Sequence, residues 1–377
     1  MAAKGLRFAH LGDVHLGHRF AYLPREKRRV RQREVRETFT RMLEEISRQA
    51  VELVLVAGDL FEHEAADKAL VQTLQDRLGK VGVPVVVAAG NHDPLVSDSP
   101  YLAEGWPANV HVLRGAGWQV VDLPELDASV VGLSHQAPDD PGHGLEGVPE
   151  TSRAHRIVLA HATLDDLYSS SPSLPATLQD LERLRADYLA LGHYHNFHPI
   201  HDSEGRLCGC YPGTPEPVGF DERGQHGFVV GRLREGDVHL DFVPLAQRSY
   251  LQAEVNVSGC ESLQDILERA EAAMRADDGQ HLWELVLTGE VDTDLNVETD
   301  WLAHELQDRA FFVKVRSDLV PAYNLFEMKK RPGVVSYFIA HMENKLSAAQ
   351  SAAERQKIQR AIVVGLDALT KGELKRR

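Results

Sequence analysis

Five short motifs in the first 195 residues of this 377-residue chain bring histidine, aspartate and asparagine together. They are GDVH, GDLF, GNHD, a single histidine after IVLA, and GHYH, and each ends an apolar run. Ligand sites of α/β proteins gather at the carboxyl ends of such runs. Carboxylate, amide and imidazole groups are also common ligands of divalent cations. The motifs therefore predict a metal centre built from Asp13, His15, Asp59, Asn91, His161, His193 and His195.

The position of each candidate suggests a duty. Asp59 ends a buried apolar run, so its carboxylate needs a metal ion or another partner, with a helix N-cap as the alternative. The carbonyl of Asn91 suits a hard cation, whereas the adjacent His92 projects differently and remains available for proton transfer. Asp93 is then expected to orient His92, as carboxylates beside metal sites do. We predict His92 as the general acid, assisted by Asp93.

Such a ligand set predicts the chemistry of a two-metal phosphoesterase. Two ions that share Asp59 and a hydroxide would supply a nucleophile and neutralise charge on the phosphate. Nitrogen and oxygen ligation without thiolates suits ions such as manganese, iron or zinc. Mn²⁺ is the predicted metal, with Mg²⁺, iron and zinc as alternatives. The chain has three cysteines. Packing is the preferred interpretation of Cys208 and Cys210, with metal binding as the alternative.

The apolar runs that carry the motifs have the length and Val/Leu content of buried strands. They begin at Leu6, Leu53, Val83, Ile157 and Tyr188, and further strands are predicted from Ser129 and Gly227. Helices are predicted over roughly 26–50 and 64–80. Strand and helix therefore alternate in a layered α/β domain with a mixed pair of sheets.

A second pattern begins near residue 250, where strand-like and helix-like segments alternate without clustered ligand residues. Beyond Pro332 and Gly333, a helical segment either packs on the body or docks a partner. We predict a phosphoesterase domain at 1–247, a small α/β domain at 248–330 and a C-terminal helical segment at 331–377. The small domain is expected to shape substrate access.

Charge and hydropathy limit the class of protein. The formal charge of −15 argues against a protein that coats nucleic acid over its whole surface. A local basic run at residues 25–36 is either a solvated helix face or a surface that contacts phosphates. No run has the length of a membrane span, and the first residues lack the pattern of a secretory leader. The sequence thus predicts a soluble cytoplasmic protein.

The motif series resembles the signature of the calcineurin-like metallophosphoesterase superfamily, whose members have a double-sheet core flanked by helices. The resemblance implies one metal ion on Asp13, His15, Asp59 and His195, and the other on Asp59, Asn91, His161 and His193. DVHLG with His10 upstream, the helix after GDLF, and YPGTPEP at 211–217 are similar to DNA repair nucleases of the SbcD/YhaO type. Gly12 departs from that branch, in which many chains have serine.

The nuclease resemblance implies further properties of the chain. The unit after residue 250 is similar to a capping domain, the terminal helices would dock an SbcC-like coiled-coil ATPase, and a homodimer is expected. The leading hypothesis is a metal-dependent DNA exonuclease or endonuclease in repair. Its predicted DNA contacts are Arg28, Arg29, Arg31, Arg33 and Tyr211. A phosphatase or phosphodiesterase for nucleotides or other small phosphoesters, and a DNA- or partner-binding scaffold, are the alternatives.

Overall fold

The computed structural model describes residues 5–139, 147–164, 173–274, 279–293 and 295–371. The chain divides into two compact units, Met1–Tyr250 and Leu251–Arg377. No helix in the described part of the chain is long and apolar enough to span a membrane.

The first unit alternates strands with three α-helices in its described part. Its strands are β1 (Leu6–Leu11), β2 (Leu53–Ala57), β3 (Val85–Ala88), β4 (Val110–Val112), β5 (Gln119–Leu123), β6 (Ala128–Leu133), β7 (His155–His161), β8 (Tyr188–Gly192), β9 (His198–His201), β10 (Leu207–Tyr211), β11 (Gly227–Arg234) and β12 (Asp237–Pro244). Its helices are α1 (Arg25–Arg48), α2 (Lys68–Gly79) and α3 (Leu178–Arg183). Short 3₁₀ turns occur at His63–Ala65, Pro100–Leu102 and Pro124–Leu126.

The strands of the first unit form two six-stranded mixed sheets. The first has the order β12-β11-β1-β2-β3-β4, in which β1 to β4 are parallel and β11 and β12 antiparallel. The second has the order β5-β6-β7-β8-β10-β9, with a parallel centre and an antiparallel strand at each edge. The predicted double-sheet α/β fold is confirmed.

One apolar core lies between the two sheets. Leu55 of the first sheet and Leu159 of the second belong to the same buried cluster, as do Val86 and Tyr188. Successive residues of a strand point to opposite faces, so the fully buried Val54 lies on the outer face of the first sheet. Burial on both faces explains why these strands appear as continuous apolar runs rather than alternating ones.

Helices α1 and α2 match the two predicted helical stretches, whereas the short helix α3 was not predicted. Pro24 precedes α1, and proline is well tolerated at a helix start. Phe39, Met42 and Ile46 are buried at helical spacing on one side of α1. At the start of α2 the side chain of Asp67 accepts a hydrogen bond from the N–H of Leu70. The N-cap of α2 is therefore Asp67, so the alternative role considered for Asp59 is wrong.

The second unit contains a small sheet and several helices. Its strands are β13 (Tyr250–Asn256), β14 (Leu282–Thr288), β15 (Glu290–Asp292), β16 (Phe312–Ser317) and β17 (Val320–Ala322). Its helices are α4 (Leu263–Ala273), α5 (Thr299–Glu305), α6 (Leu325–Lys329), α7 (Val334–Ala348) and α8 (Ala352–Lys371). The sheet has the order β13-β14-β16, and β15 pairs with β17.

Two separate apolar clusters lie within the second unit. One joins the small sheet to α4 and α5 through residues such as Leu285, Ile266 and Leu302. The other holds α7 against α8 through Ile339 and Leu366. The three-part division of the chain stays a prediction, and its last residues, 372–377, lie outside the described part.

Candidate metal centre

The predicted metal ligands meet at one end of the two sheets. Asp13 and His15 follow β1, Asp59 follows β2 and Asn91 follows β3. His161 ends β7, and the last two, His193 and His195, follow β8. All five strands run parallel to a neighbour, so their carboxyl ends deliver the side chains to the same place.

The backbone at the strand ends is unusual. Asp13, His15, Asp59 and His193 have positive φ angles of 51°, 50°, 51° and 101°. Residues other than glycine seldom adopt this region, and such conformations cluster at functional sites. Close packing limits the neighbouring positions too, because a Cβ on Gly192 would overlap the carbonyl oxygen of Ala57. The glycine before the histidines is therefore required for the close approach of this strand end to Ala57.

One group of candidate ligands includes His15 and His195. Their Nε2 atoms lie 3.2 Å apart. Asp13 Oδ1 is 3.8 Å from Nε2 of His195, and Asp59 Oδ2 is 3.8 Å from Nε2 of His15. Asp13, His15 and His195 each offer an atom within 4.8 Å of the others.

A second group surrounds His161. Its Nε2 lies 2.9 Å from Oδ1 of Asn91, 3.3 Å from Oδ2 of Asp59 and 3.2 Å from Nδ1 of His193. Asp59 Oδ2 thus lies near both groups of ligands. This is the placement that a carboxylate shared between two ions requires.

Hydrogen bonds to the Nδ1 atoms of three histidine rings indicate which kind of ligand the site can bind. His161 Nδ1 donates to the carbonyl of Ala57 at 2.9 Å, so in the neutral ring its Nε2 carries a lone pair. Nδ1 of His15 faces Glu62 Oε1 at 2.9 Å, and Nδ1 of His195 faces Glu222 Oε1 at 2.8 Å. Since ionised carboxylates only accept, the neutral form of each of these rings directs the lone pair of its Nε2 into the site. Converging acceptors with no thiolate among them fit divalent cations.

The electrostatics of His193 and Asp59 suit a cation. Burial lowers the pKa of His193 to about 3, which keeps the ring in the neutral form that binds metal. Burial also favours the protonated form of Asp59, but the neighbouring His161 lowers the pKa of that carboxyl. A neutral imidazole and an ionised carboxylate are the forms that a cation needs. At His161 and His195 the effect of burial is outweighed by carboxylates, since Asp59 raises the pKa of His161 to about 9 and Glu222 raises the pKa of His195 to about 10. A cation bound there would therefore displace a proton from each of these two rings.

His92 lies at the open side of the site, with 44% of its side chain exposed. Its Nδ1 is 2.9 Å from Oε2 of Glu62, and this hydrogen bond is the main reason that the pKa of His92 is raised. Although burial acts in the opposite direction, hydrogen bonds from His15, His18 and His92 lower the pKa of Glu62. The ionised Glu62 therefore favours the protonated form of His92.

The predicted role of Asp93 is wrong. Its carboxylate accepts hydrogen bonds from the backbone N–H groups of Asp59, Leu60 and Gly90 at 3.1, 2.7 and 2.6 Å, and from the hydroxyl of Tyr101 at 2.6 Å. The side chain is fully buried and holds together the loops after β2 and β3. Glu62 is instead the carboxylate beside His92.

Sequence reasoning missed both glutamates behind the rings. Glu62 directly follows GDLF, and Glu222 lies five residues beyond YPGTPEP. Their proximity to motifs that had already been singled out was the available signal. Spacing could not show it, because Glu222 is 27 residues from the histidine that it contacts.

The cysteines are placed as packing residues. Sγ of Cys210 is 3.1 Å from Oη of Tyr188, which in turn is 2.9 Å from Nδ1 of the buried His10. Cys208 donates to the carbonyl of Ile200. Neither cysteine belongs to a ligand cluster in the described part of the chain.

Two predicted DNA contacts need correction. Arg31 is 0% exposed because its guanidinium is paired with Glu34 and Glu216, and Tyr211 is 1% exposed because its hydroxyl is bonded to the backbone of Ala162 and Leu164. Neither side chain is accessible to DNA in this structure.

The other three predicted contacts lie at or near the surface. Arg29 is exposed, and Arg33 is exposed with a carboxylate of Glu37 at 3.5 Å. Arg28 is half-buried and donates to the carbonyls of Ala21 and Leu23. A DNA-contacting role for these three stays a prediction.

Comparisons with known proteins give a consistent picture. The family model described as calcineurin-like phosphoesterase matches residues 6–197. The DNA double-strand break repair protein Mre11 of Methanopyrus kandleri is 30% identical over 291 residues, which are 67% of this chain and 60% of that protein. The chain therefore spans less than two thirds of this relative. The uncharacterized metallophosphoesterase YhaO of Bacillus subtilis is 27% identical over 284 residues, which are 71% of this chain and 67% of that protein.

Among solved structures, a dimetal phosphatase from Danio rerio aligns with a TM-score of 0.40 and 13% identity. The alignment covers 65% of this chain and 99% of that one.

Proposed function

Because this chain belongs to the calcineurin-like phosphoesterase family, a family of metal-dependent phosphoesterases, we propose that it is a nuclease that hydrolyses phosphodiester bonds of DNA during repair. The observation that carries phosphodiester hydrolysis is the convergence of nitrogen and oxygen donors from seven residues beside His92, whose ring is hydrogen-bonded to Glu62. The DNA substrate is supported by the similarity to an archaeal protein named for double-strand break repair.

In the proposed centre, Asp13, His15, Asp59 and His195 would hold one ion, and Asn91, His161 and His193 would hold the other together with Asp59. Two divalent ions bound there would activate water and neutralise the phosphate oxygens. Mn²⁺ is the proposed metal, because the donors are a mixture of imidazole, amide and carboxylate.

The part of the reaction that falls to the chain itself is proton transfer. Glu62 accepts the hydrogen bond from Nδ1 of His92 and so fixes the ring, leaving Nε2 to protonate the departing oxygen. With 44% of its side chain exposed, His92 can reach a substrate that arrives from solvent.

Cleavage of labelled linear duplex by the purified protein with Mn²⁺ tests the function. Shortened or nicked products should depend on the metal, disappear with a chelator, and be lost in an Asp59→Asn variant. Wild-type protein that leaves DNA as intact as the variant does would contradict a nuclease. Repetition with Mg²⁺, Zn²⁺ and Fe²⁺ identifies the preferred ion.

A small phosphoester is the second candidate substrate. This candidate is favoured by the basic run at residues 25–36, because two of its side chains are engaged within the protein. Arg31 is buried, and Arg28 donates to backbone carbonyls. Rates on nucleotides and on bis-p-nitrophenyl phosphate should be compared with those on DNA in an Arg29→Glu/Arg33→Glu variant. A DNA enzyme loses DNA cleavage while keeping turnover of the small ester.

We also propose that the helical part of the second unit docks a coiled-coil ATPase and that the chain forms a homodimer. Phe326, Val334 and Tyr337 expose 71%, 71% and 80% of their surfaces, and exposed apolar side chains are what a docking surface needs. Sedimentation of the protein alone tests the dimer. Loss of ATPase binding in a Tyr337→Glu variant, with cleavage of short DNA retained, tests the docking surface.

A further inference from the structure

The segment after β10 that carries YPGTPEP holds two buried carboxylates. Glu216 is 0% exposed and Glu222 is 3% exposed. Buried carboxylates need partners, because removing them from water is unfavourable. The partners of these two lie in different directions, and they link the metal centre to helix α1.

Glu222 faces the metal centre. Its Oε1 lies 2.8 Å from Nδ1 of His195. Its Oε2 accepts from the backbone N–H of Val218 at 2.9 Å and from the hydroxyl of Thr214 at 3.1 Å. Each oxygen therefore has a set of donors fixed by its own segment or by the histidine.

Glu216 faces α1. Its Oε1 accepts from Nη1 of Arg31 at 2.6 Å, and its Oε2 accepts from the hydroxyl of Thr38 at 2.9 Å. Arg31 also donates from Nη2 to the carbonyl of Pro217 at 2.8 Å. The backbone N–H of Gln247 completes the set at 2.8 Å. Arg31, the interior member of the basic run, thus fixes the backbone that leads to Glu222.

We propose that Glu222 is a positioning residue for the first metal ion, and that the Arg31–Glu216 pair anchors the segment that carries it. A carboxylate opposite Nδ1 places the proton there and leaves the Nε2 lone pair of His195 directed at the ion. The inference rests on the proposed function for the ligand role of His195, and goes beyond it by giving the YPGTPEP segment and Arg31 a duty in metal binding rather than in DNA contact.

Glu222→Gln is a sharp test because it keeps the size of the side chain. If the amide NH₂ faces His195, Nδ1 loses its acceptor and the ring favours the tautomer whose Nε2 carries the proton. If the NH₂ faces the other way, it meets the Val218 N–H and the Thr214 hydroxyl, which also donate. Both orientations should lower the affinity of the site for the first metal ion. Asp221→Asn is the matched control, since it removes the same charge from the adjacent, exposed residue.

Binding of Mn²⁺, measured by calorimetric titration and electron paramagnetic resonance, gives a readout that does not depend on cleavage. Wild-type protein and Asp221→Asn should bind two ions that couple magnetically. Glu222→Gln should lose about 10- to 100-fold in affinity for one ion, so that intermediate Mn²⁺ concentrations give the six-line signal of a single ion. Excess Mn²⁺ should restore the coupled signal.

The outcomes separate this inference from the proposed function. If wild-type protein binds fewer than two ions, the proposed metal centre fails. If it binds two and Glu222→Gln binds both with unchanged affinity, the positioning role is overturned and the metal centre stands. Melting in chelator reports whether the variants fold. If Glu222→Gln does not fold, the same measurement is made on Glu222→Asp and judged by the same criteria. This variant withdraws the carboxylate by one methylene.

Discussion

Glu62 is the residue on which the proposed proton transfer depends. One carboxylate contacts three imidazoles, with Oε1 near His15 and His18 and Oε2 near His92. It therefore orients a proposed metal ligand and the proposed acid at once. Substitution of Glu62 should affect both the pH at which the enzyme works and the protonation of the leaving group.

The first prediction concerns pH. The hydrogen bond to Glu62 raises the pKa of His92, so the acid stays protonated to a higher pH than an ordinary histidine would. In Glu62→Gln that support is lost, and the alkaline limb of the kcat profile for DNA should move to lower pH. Glu64→Gln is the control, because Glu64 is an exposed residue of the same turn. Identical profiles for all three proteins would mean that another group donates the proton.

The second prediction separates binding from proton transfer. His92→Ala should bind two Mn²⁺ ions as the wild type does, but cleave DNA about 10²- to 10⁴-fold more slowly in single-turnover assays. Bis-p-nitrophenyl phosphate has a leaving group that needs little protonation, so its hydrolysis should fall much less. An equal loss on both substrates would point to damage of the metal centre instead.

At the scale of secondary structure, buried polar pairs fix the position of α1. Arg31 on this helix holds Glu34 and Glu216 with Nη1 distances of 2.6 Å to each, and Arg248 pairs with Glu34 at 2.7 Å. Arg31 also lies over the ring of Phe20. The helix is thereby joined to the YPGTPEP segment and to the chain near residue 248 by charges that have little access to water.

The third prediction concerns stability. Arg31→Met leaves Glu216 buried without its cation and should lower the free energy of unfolding by about 3–5 kcal/mol in urea denaturation with chelator present. Arg29→Met, at an exposed neighbouring position, should change it little. Adding Glu216→Gln to Arg31→Met should restore part of the loss, because no uncompensated charge then remains there. Equal free energies of unfolding for Arg31→Met and Arg29→Met would contradict the structural role of Arg31.

Strands were predictable from sequence because the two-sided burial of β1, β2 and β7 gives continuous apolar runs. The convergence of the candidate ligands at one end of the sheets was predictable because these residues end those runs. The role of Asp93 was not, since adjacency to His92 says nothing about where a side chain points after a tight turn. The burial of Arg31 was not predictable from sequence either, because its partner Glu216 is 185 residues away along the chain.

At the scale of the whole molecule, the two units should respond differently to metal. The clusters of candidate ligands in the described residues belong to the unit Met1–Tyr250. The formal charge of −15 means that cation binding also relieves repulsion. Bound metal should therefore change the stability of the first unit and leave the stability of the second unit nearly unchanged.

The fourth prediction is a calorimetric one. Mn²⁺ at about 100 times its dissociation constant stabilises a single site by about 2.7 kcal/mol, which should raise the melting temperature of the first unit by about 5–10 °C. The second unit should melt at the same temperature with Mn²⁺ or chelator. Asp59→Asn provides the control, and Mn²⁺ should raise the melting temperature of its first unit much less. A shift confined to the second unit would contradict the proposed location of the metal.

The left-handed backbone at Asp13 and Asp59 bears on how an inactive form should be made. Aspartate and asparagine adopt this conformation more readily than other residues with a Cβ, whereas alanine would add backbone strain to the loss of a proposed ligand. An Asp59→Asn protein should thus keep the shape of the strand end and remove only the charge. This form, rather than an alanine variant, is the suitable reagent for trapping an uncleaved substrate in a crystal.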